Sequence, residues 1–294
     1  ADTAFTFTID TENAGSATKT FVLPLISDGA IDINVDWGDD STSSIDAYDH
    51  SDVTHVYDAT GIYTVKLTGT IRGFRFNNGG DKLKILNISN WGDFNVTLAN
   101  TFMGCTNLDC SATDAPTVST SSPTAMFYFA SRITNIGGDW DMSGVESLYL
   151  FFYQASVFNG ASLDSWDTSS VTNMNGVFRR APAFNADISG WDTSSVTNMT
   201  NMFDGWPSGA FDQDLSNWDV SSVTTFGSNF MRSQTLSTAN YDALLIGWAA
   251  QSVTSGLSIN FGSSKYTAAP AAGGVARQSL IDNDSWTITD GGAA

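Results

Sequence analysis

One internal repeat constrains this chain more than any other feature of its sequence. The segment Trp166-Asp-Thr-Ser-Ser-Val171 returns at Trp191 and Trp218 and, more loosely, at Trp140, so the four tryptophans are 26, 25 and 27 residues apart. A unit of this size cannot bury its own apolar side chains, so neighbouring units have to cover one another. The repeat therefore predicts a solenoid in which each unit is one turn.

Further anchors fix the register of the units. Val96 and Val118 follow Trp91 and Thr113 by five residues, as Val171 follows Trp166, which extends the pattern to about six turns of ~26 residues over residues 73–236. A phenylalanine lies twelve residues after each later tryptophan, at Phe152, Phe178, Phe203 and Phe230. The residue three positions beyond is usually small, and Trp206 is the exception.

Each turn is predicted to hold two short strands and one helical turn. In one unit the strands are residues 188–191 and 196–199, and the helical turn lies around Met202 and Phe203, where apolar residues follow at spacings of three and four. A corner separates the strands. There the aspartates are expected to accept the backbone N–H two residues on; they are Asp141, Asp167, Asp192 and Asp219.

The flanking regions have other patterns. Residues 1–72 contain five short alternating segments separated by turn signals, which is typical of a β-sandwich. The segments are residues 5–9, 20–24, 31–37, 53–57 and 62–67. Residues 237–294 are predicted to form a small α/β cap, with helices beginning at Ser237 or Thr238 and near Val275 and a final strand at 286–289. The fold class is therefore mainly β, in three parts.

The repeats resemble those of BspA-like leucine-rich-repeat surface proteins, in the branch with short Trp-Asp-Thr-Ser-x-Val-Thr-Asn-Met units. The residues that carry the resemblance are Trp166–Met174 and Trp191–Met199 with the phenylalanines that follow them. The segment from Asn240 to Trp248 is similar to the terminal cap of the same proteins. This resemblance implies a non-enzymatic module exposed at a surface, either on bacteria as an adhesin or on marine phages in attachment or virion decoration.

The N-terminal region resembles a PKD-type (Ig-like) β-sandwich. Val35-Asp-Trp-Gly-Asp39, His55-Val-Tyr57 and Gly61-Ile-Tyr-Thr-Val65 carry this resemblance. The chain departs from that pattern at Asp40, where the family usually has glycine.

Charge and cysteine content exclude several classes of function. The formal net charge is −19, with 12 basic residues among 294, so no basic stripe is available for nucleic acid. No apolar run approaches the ~20 residues of a membrane span. With two cysteines and two histidines, a four-ligand zinc site is not expected. Cys105 and Cys110 are interpreted as two buried free thiols, with a local disulfide as the alternative.

Candidate partner-binding residues follow the anchor phenylalanines. The positions directly after each anchor are expected to point outward, and four of the five arginines between 72 and 232 lie on or near them. Tyrosine, phenylalanine and arginine are also the types enriched in binding hot spots. The candidates are Tyr128, Phe129, Arg132, Tyr153, Arg179, Arg180 and Arg232. Ordinary filling of an amphipathic surface is the alternative.

Two further groups are weaker candidates. Asp39, Asp40, Asp282 and Asp284 offer oxygen ligands that suit calcium, but neither pair has the spacing of an EF-hand loop, so no cofactor is expected and calcium stays an alternative. Thr172, Thr197 and Thr224 repeat at one register beside Asn173 and Asn198. Such a polar face could bind glycan or ice, or could be a solvated outer surface.

The sequence thus predicts a non-catalytic binding or structural protein, first of all a phage virion component for decoration or host attachment. The small residue at Ala1 fits removal of an initiator Met and favours the virion over a secreted bacterial adhesin, the first alternative. A glycan-binding module or a glycan-active enzyme is the second, because carboxylate pairs are abundant. The expected partners are virion or surface proteins, a host-surface protein or glycan, and a second copy of the chain, without membrane insertion.

Overall fold

Alternation of apolar and polar residues produces the strands of the first hundred residues. The computed structural model describes residues 2–160 and 162–294, and within them the chain is mainly β with two α-helices. The strands are β1 (Phe5–Asp10), β2 (Thr20–Val22), β3 (Asp32–Asp36), β4 (Thr42–Ile45), β5 (Thr54–Val56), β6 (Ile62–Thr70), β7 (Ile85–Asn90), β8 (Asn95–Val96), β9 (Asp109–Cys110), β10 (Thr117–Val118), β11 (Ser258–Asn260) and β12 (Thr287–Thr289).

Six of these strands form one sheet, in the order β4-β3-β6-β1-β7-β9. All neighbours pair antiparallel except β7 and β9, which are parallel. Phe7 lies opposite Val65, and Val35 lies opposite Leu67, so that alternate residues of three strands enter the core together. The strands β2 and β5 form a separate antiparallel pair.

The sheet continues across the boundary that the sequence suggests after residue 72. Strands β7 and β9 come from the region of repeats, yet β7 pairs directly with β1. The first units are therefore hydrogen-bonded to the N-terminal region, and a single apolar core runs through both.

Successive later units are joined by a ladder of backbone hydrogen bonds. The N–H groups of every second residue donate to the carbonyl groups of the following unit, at 2.7–3.0 Å. Donors Met174, Gly176, Phe178 and Arg180 pair in this order with Asn198, Thr200, Met202 and Asp204. The same ladder joins residues 148–154 to residues 173–179.

The predicted strands and helical turn do not form in the later units, whereas the first two units contain short strands near the predicted positions, β7 and β8 in one and β9 and β10 in the next. Residues 188–191 form a tight turn, in which the Trp191 N–H donates to the Ile188 carbonyl at 3.1 Å, and residues 196–199 reduce to single parallel bridges at Asn198. In the ladder segment, the N–H groups of the residues between the ladder donors bond to the carbonyl three residues earlier in the same unit. Every fourth residue has a positive φ, as at Gly176 (66°) and Arg180 (57°). A regular strand or helix needs negative φ throughout, so neither can form here.

Aromatic rings build the interior of the stacked units. The ring centroids of Phe127, Phe152, Phe178 and Phe203 are separated by 5.7, 5.8 and 5.9 Å. The Trp191 ring lies parallel to that of Trp166, with centroids 5.9 Å apart. This spacing between units follows from the hydrogen-bonded ladder, because parallel backbones cannot approach more closely than ~4.8 Å.

Indole N–H groups tie several of the units together. The Trp191 indole donates to the Leu163 carbonyl at 2.8 Å, and the Trp218 indole donates to Ile188 at 3.1 Å. Both the Trp91 and the Trp140 indole donate to the Ile136 carbonyl. Trp166 differs, because its buried Nε1 has no hydrogen-bond partner among the described residues.

The aspartate corners form as the sequence predicts. Asp141, Asp167, Asp192 and Asp219 each accept the backbone N–H two residues on, at 2.9–3.1 Å. The serine at that position also donates its hydroxyl to the same carboxylate oxygen, at 2.6–2.7 Å. Many of the acidic and hydroxyl side chains of the sequence are therefore used to hold corners.

The C-terminal residues close the end of the stack. Helix α1 (Thr238–Ala249) begins after Ser237, whose hydroxyl accepts the Asn240 N–H, and it packs against helix α2 (Ala272–Asp282). Trp248 of α1 donates its indole N–H to the Leu215 carbonyl at 3.0 Å, so the helix supplies the next indole of the series. Neither helix is long and apolar enough to cross a membrane, which holds for all described residues.

Candidate functional site

Five side chains form a continuous row across the stacked units. The rings of Tyr128 and Tyr153 stack at 4.5 Å, and the Arg179 guanidinium carbon lies 5.5 Å from the centroid of Tyr153. Arg179 then contacts Asp204, which also contacts Arg232. Burial and the neighbouring Tyr153 raise the pKa of Tyr128. Four of the predicted partner-binding residues therefore lie in one row, in which Asp204 bridges the two arginines.

Asp204 is the centre of this row and is fully buried. The Arg179 Nε donates to one carboxylate oxygen at 3.1 Å, and Arg232 donates from Nε and Nη2 to both oxygens at 2.9 Å each. The arginine side chains are 29% and 36% exposed, whereas the Asp204 side chain is 0% exposed. The two arginines thus neutralise a buried charge, which gives them a structural role.

A second row lies one residue further on and consists of Phe129, Gln154 and Arg180. All three residues have a left-handed backbone, with φ of 64°, 56° and 57°. Gly104 holds the equivalent place in an earlier unit, with φ of 82°. Each non-glycine residue in this conformation costs about 1 kcal/mol or more. Three large side chains therefore occupy a position for which glycine is the least strained residue.

Trp206 completes a groove beside the second row. The groove is a pocket of about 360 Å³, lined by Phe129, Gln154, Arg180 and Trp206 and by the parallel column that contains Ser131 and Ser156. Of the nine tryptophans, eight are buried and Trp206 is 52% exposed. The Arg180 guanidinium carbon lies 5.3 Å from the Trp206 ring centroid. Sequence reasoning noted Trp206 only as an exception to the small residues at its register.

The predicted outward direction is not uniform along the rows. Tyr153 is buried, and Asp204, Gly205 and Met231, which follow anchor phenylalanines in the same way, are buried as well. The segment consists of tight turns and not of a helical turn, so burial does not follow the helical expectation. Arg132 is exposed, next to the groove residue Ser131.

Two of the candidate calcium ligands, Asp39 and Asp282, accept hydrogen bonds from nearby residues. Asp39 accepts from Ser41 and, at 2.8 Å, from His55. Burial acts to raise the pKa of Asp39, but these hydrogen bonds outweigh it and lower the pKa. Asp40 is left-handed with φ of 67°, the conformation that suits the glycine of the resembling pattern. Asp282 accepts from Gln278, and Asp284 follows the end of α2.

No group of three or more His, Cys, Asp or Glu side chains in the described ranges is arranged to hold a metal ion. The two cysteines are buried free thiols, so the disulfide alternative does not apply. Burial raises the pKa of Cys110 to about 12 and that of Cys105 well above its usual value.

The threonine column is tied to the backbone. The hydroxyls of Thr172, Thr197 and Thr224 donate to carbonyl groups of the preceding unit, at 3.0–3.2 Å. The side-chain oxygens of Asn173 and Asn198 accept the N–H two residues on. These contacts fit an outer surface that stabilises the stack.

One family model matches most of the region of repeats. The family described as Mycoplasma protein of unknown function, DUF285, matches residues 74–163 and 148–266, which together span about two thirds of the chain. The family is associated with BspA-like surface proteins. No curated protein and no solved structure matches the chain.

Proposed function

Because the chain belongs to the family described as Mycoplasma protein of unknown function, DUF285, we propose that it is a non-catalytic binding or structural module displayed at an exterior surface. The observation that carries this proposal is the groove, in which Phe129, Gln154, Arg180 and Trp206 present binding groups on a rigid ladder. Aromatic and arginine side chains are those enriched in binding hot spots.

The architecture that we propose for this module is a leucine-rich-repeat-like solenoid of about six turns, preceded by a PKD-like sandwich and followed by an α/β cap. The support comes from the offset of 24–28 residues in the ladder, from the parallel bridges between successive units and from the stacked aromatic rings. Solenoids of this kind expose long surfaces along which side chains recur in columns.

The setting that we propose first is the surface of a phage virion, where the module decorates the particle or attaches it to a host. A bacterial cell surface is the alternative, and the Mycoplasma named in the family description favours it. In both settings the partner is a protein or glycan of a surface or a second copy of the chain. The sequence has no basic stripe along which the closely spaced phosphates of nucleic acid could be neutralised, which supports a partner other than nucleic acid.

Immunogold electron microscopy tests the setting. An antibody against the full chain should label purified virions or the outer face of intact bacteria, and each result assigns one setting. Label found only inside cells, with none on either exterior, would refute display at a surface.

Binding through the groove needs a separate test with the purified, fluorescently labelled chain. The variant Phe129→Gly/Gln154→Gly/Arg180→Gly should lose attachment to intact host cells. Lys265→Ser, which removes an exposed positive charge outside the groove, is the matched control and should attach normally. Equal attachment of both variants would remove the groove from the proposed function.

A further inference from the structure

We propose that the groove binds an acidic polysaccharide, through the carboxylate of a uronic-acid unit at Arg180 and the apolar face of a sugar ring at Trp206. This inference rests on the proposed surface-binding function and adds the chemical class of its ligand. The groove has a volume of about 360 Å³, which lies within the ~300–1,000 Å³ range of small-ligand sites.

Arg180 differs from the two arginines beside it in having no acidic partner. Asp204, the nearest carboxylate of the row, is occupied by Arg179 and Arg232. The Nε of Arg180 is buried and makes no hydrogen bond to any described residue. The Arg180 side chain as a whole is half-buried and lines the groove, where a carboxylate ligand would meet its guanidinium in a planar, charge-assisted pair.

Trp206 supplies the apolar half of the site. Half of its side chain is exposed, although the indoles of the eight other tryptophans are buried in the core. Its ring lines the groove beside Arg180, and ligand sites combine such apolar surfaces with a few polar groups. The C–H face of a pyranose ring fits a flat indole, while its hydroxyl groups stay at the rim.

Hydroxyl and amide groups at the other side of the groove match the rim of a sugar. The Ser131 and Ser156 hydroxyls donate to the carbonyls of Thr106 and Ser131, so their oxygens remain able to accept hydrogen bonds. The Gln154 side chain adds both a donor and an acceptor. Ser131 and Ser156 lie one unit apart, so hydroxyl groups recur along the groove.

An extended peptide fits the groove less well because the backbone offers it no pairing edge. The N–H groups of Phe129, Gln154 and Arg180 already donate to carbonyls of the following unit, at 2.7–3.0 Å. Strand addition needs such groups to be free. A polymer of hydroxyl groups with spaced carboxylates uses only side chains, which is what the groove provides.

The backbone of the groove supplies a clean test. Arg180 holds a left-handed position that glycine would occupy without strain. Arg180→Gly therefore removes the guanidinium and is expected to leave the fold intact.

The test is a calorimetric and fluorescence titration of the full chain with oligogalacturonate and with alginate oligomers. We expect at least one of them to bind and to shield Trp206 from iodide quenching. Arg180→Gly and the methyl ester of the bound oligomer should each weaken binding about tenfold or more, whereas Lys265→Ser should bind like the parent chain. A thermal melt confirms that Arg180→Gly is folded.

Three outcomes would overturn the inference. They are no binding of either oligomer, equal binding of the methyl ester, and equal binding of polyglutamate at matched charge, which would assign the groove to acidic peptides. The cell-attachment assay keeps this result separate from the proposed function. Attachment that depends on the groove but is not inhibited by uronates refutes the ligand class alone, whereas absent attachment refutes the function.

Discussion

Arg232 donates two hydrogen bonds to Asp204 across a step of 28 residues, from Nε and Nη2 at 2.9 Å each. Since Asp204 also accepts from Arg179, one buried carboxylate links three successive units. A surface row of aromatic and basic residues is thereby anchored in the interior, and its geometry depends on a residue that the sequence pattern places outside.

Asp204→Asn should lower the free energy of unfolding by about 2 kcal/mol, because hydrogen bonds to charged groups contribute about 1.5–3 kcal/mol and the arginines lose their counter-charge. Urea unfolding followed by circular dichroism measures the change. Arg180→Gly is the control and should not lower the free energy of unfolding, since it keeps the backbone N–H bonded to the Asp204 carbonyl and relieves a left-handed residue. Similar losses for the two variants would contradict the structural role of Asp204.

Trp191→Phe should destabilise the chain more than Trp166→Phe, by about 1 kcal/mol. Both substitutions remove similar apolar volume, but only the Trp191 indole donates a hydrogen bond, to the Leu163 carbonyl. In Trp166 the substitution removes a buried donor that lacks a partner. Parallel denaturation curves of the two variants give the difference, and an equal or reversed order would show that indole hydrogen bonds do not tie the units together.

Stability should fall at acidic pH through the aspartate corners. Hydrogen bonds from Ser143, Ser169 and Ser194 lower the pKa of Asp141, Asp167 and Asp192 in the folded chain. A lowered folded pKa means that the contribution is complete above the unfolded value of about 3.9 and is lost as the pH falls through the folded value.

Thermal melts between pH 6 and pH 2.5 test this expectation with the variant Asp167→Asn/Asp192→Asn. Asparagine still accepts the serine N–H, so the variant should fold, but its melting temperature should decline less steeply below pH 4. An unchanged slope would place the acid sensitivity elsewhere.

Cys105 and Cys110 should resist alkylation in the folded chain. Both thiols are buried, and burial raises the pKa of each, so little thiolate is present at pH 8. Iodoacetamide labelling read by mass spectrometry should be slow in buffer and fast in urea. Rapid labelling of either cysteine in buffer would contradict its burial.

The sequence repeat predicts which side chains are interior but not how the backbone runs between them. The anchors Phe152, Phe178 and Phe203 recur because each packs on the next, and such packing is visible in a spacing. The sequence does not show which positions are left-handed, because Phe129, Gln154 and Arg180 are residue types that rarely adopt this conformation. Strands and a helical turn were therefore predicted where the chain forms a series of tight turns.

For the same reason, the sequence predicts only part of the candidate site. The row from Tyr128 to Arg232 follows from counting after the anchors, but the division between structural and available arginines depends on the burial of Asp204. Trp206 gave one signal, a large residue at a register of small ones. The pairing of β7 with β1 gave no signal in the sequence, because the first units match the repeat less closely than the later ones.

Trp248 has a consequence for the evolution and design of this fold. Its indole N–H occupies the place that the tryptophan of another repeat would take, so helix α1 meets the stack through the same bond as any further unit. The C-terminal cap can therefore follow any number of units. Duplicating a stretch such as residues 166–190 would insert one more layer, lengthen the groove by a single step and leave both termini as they are.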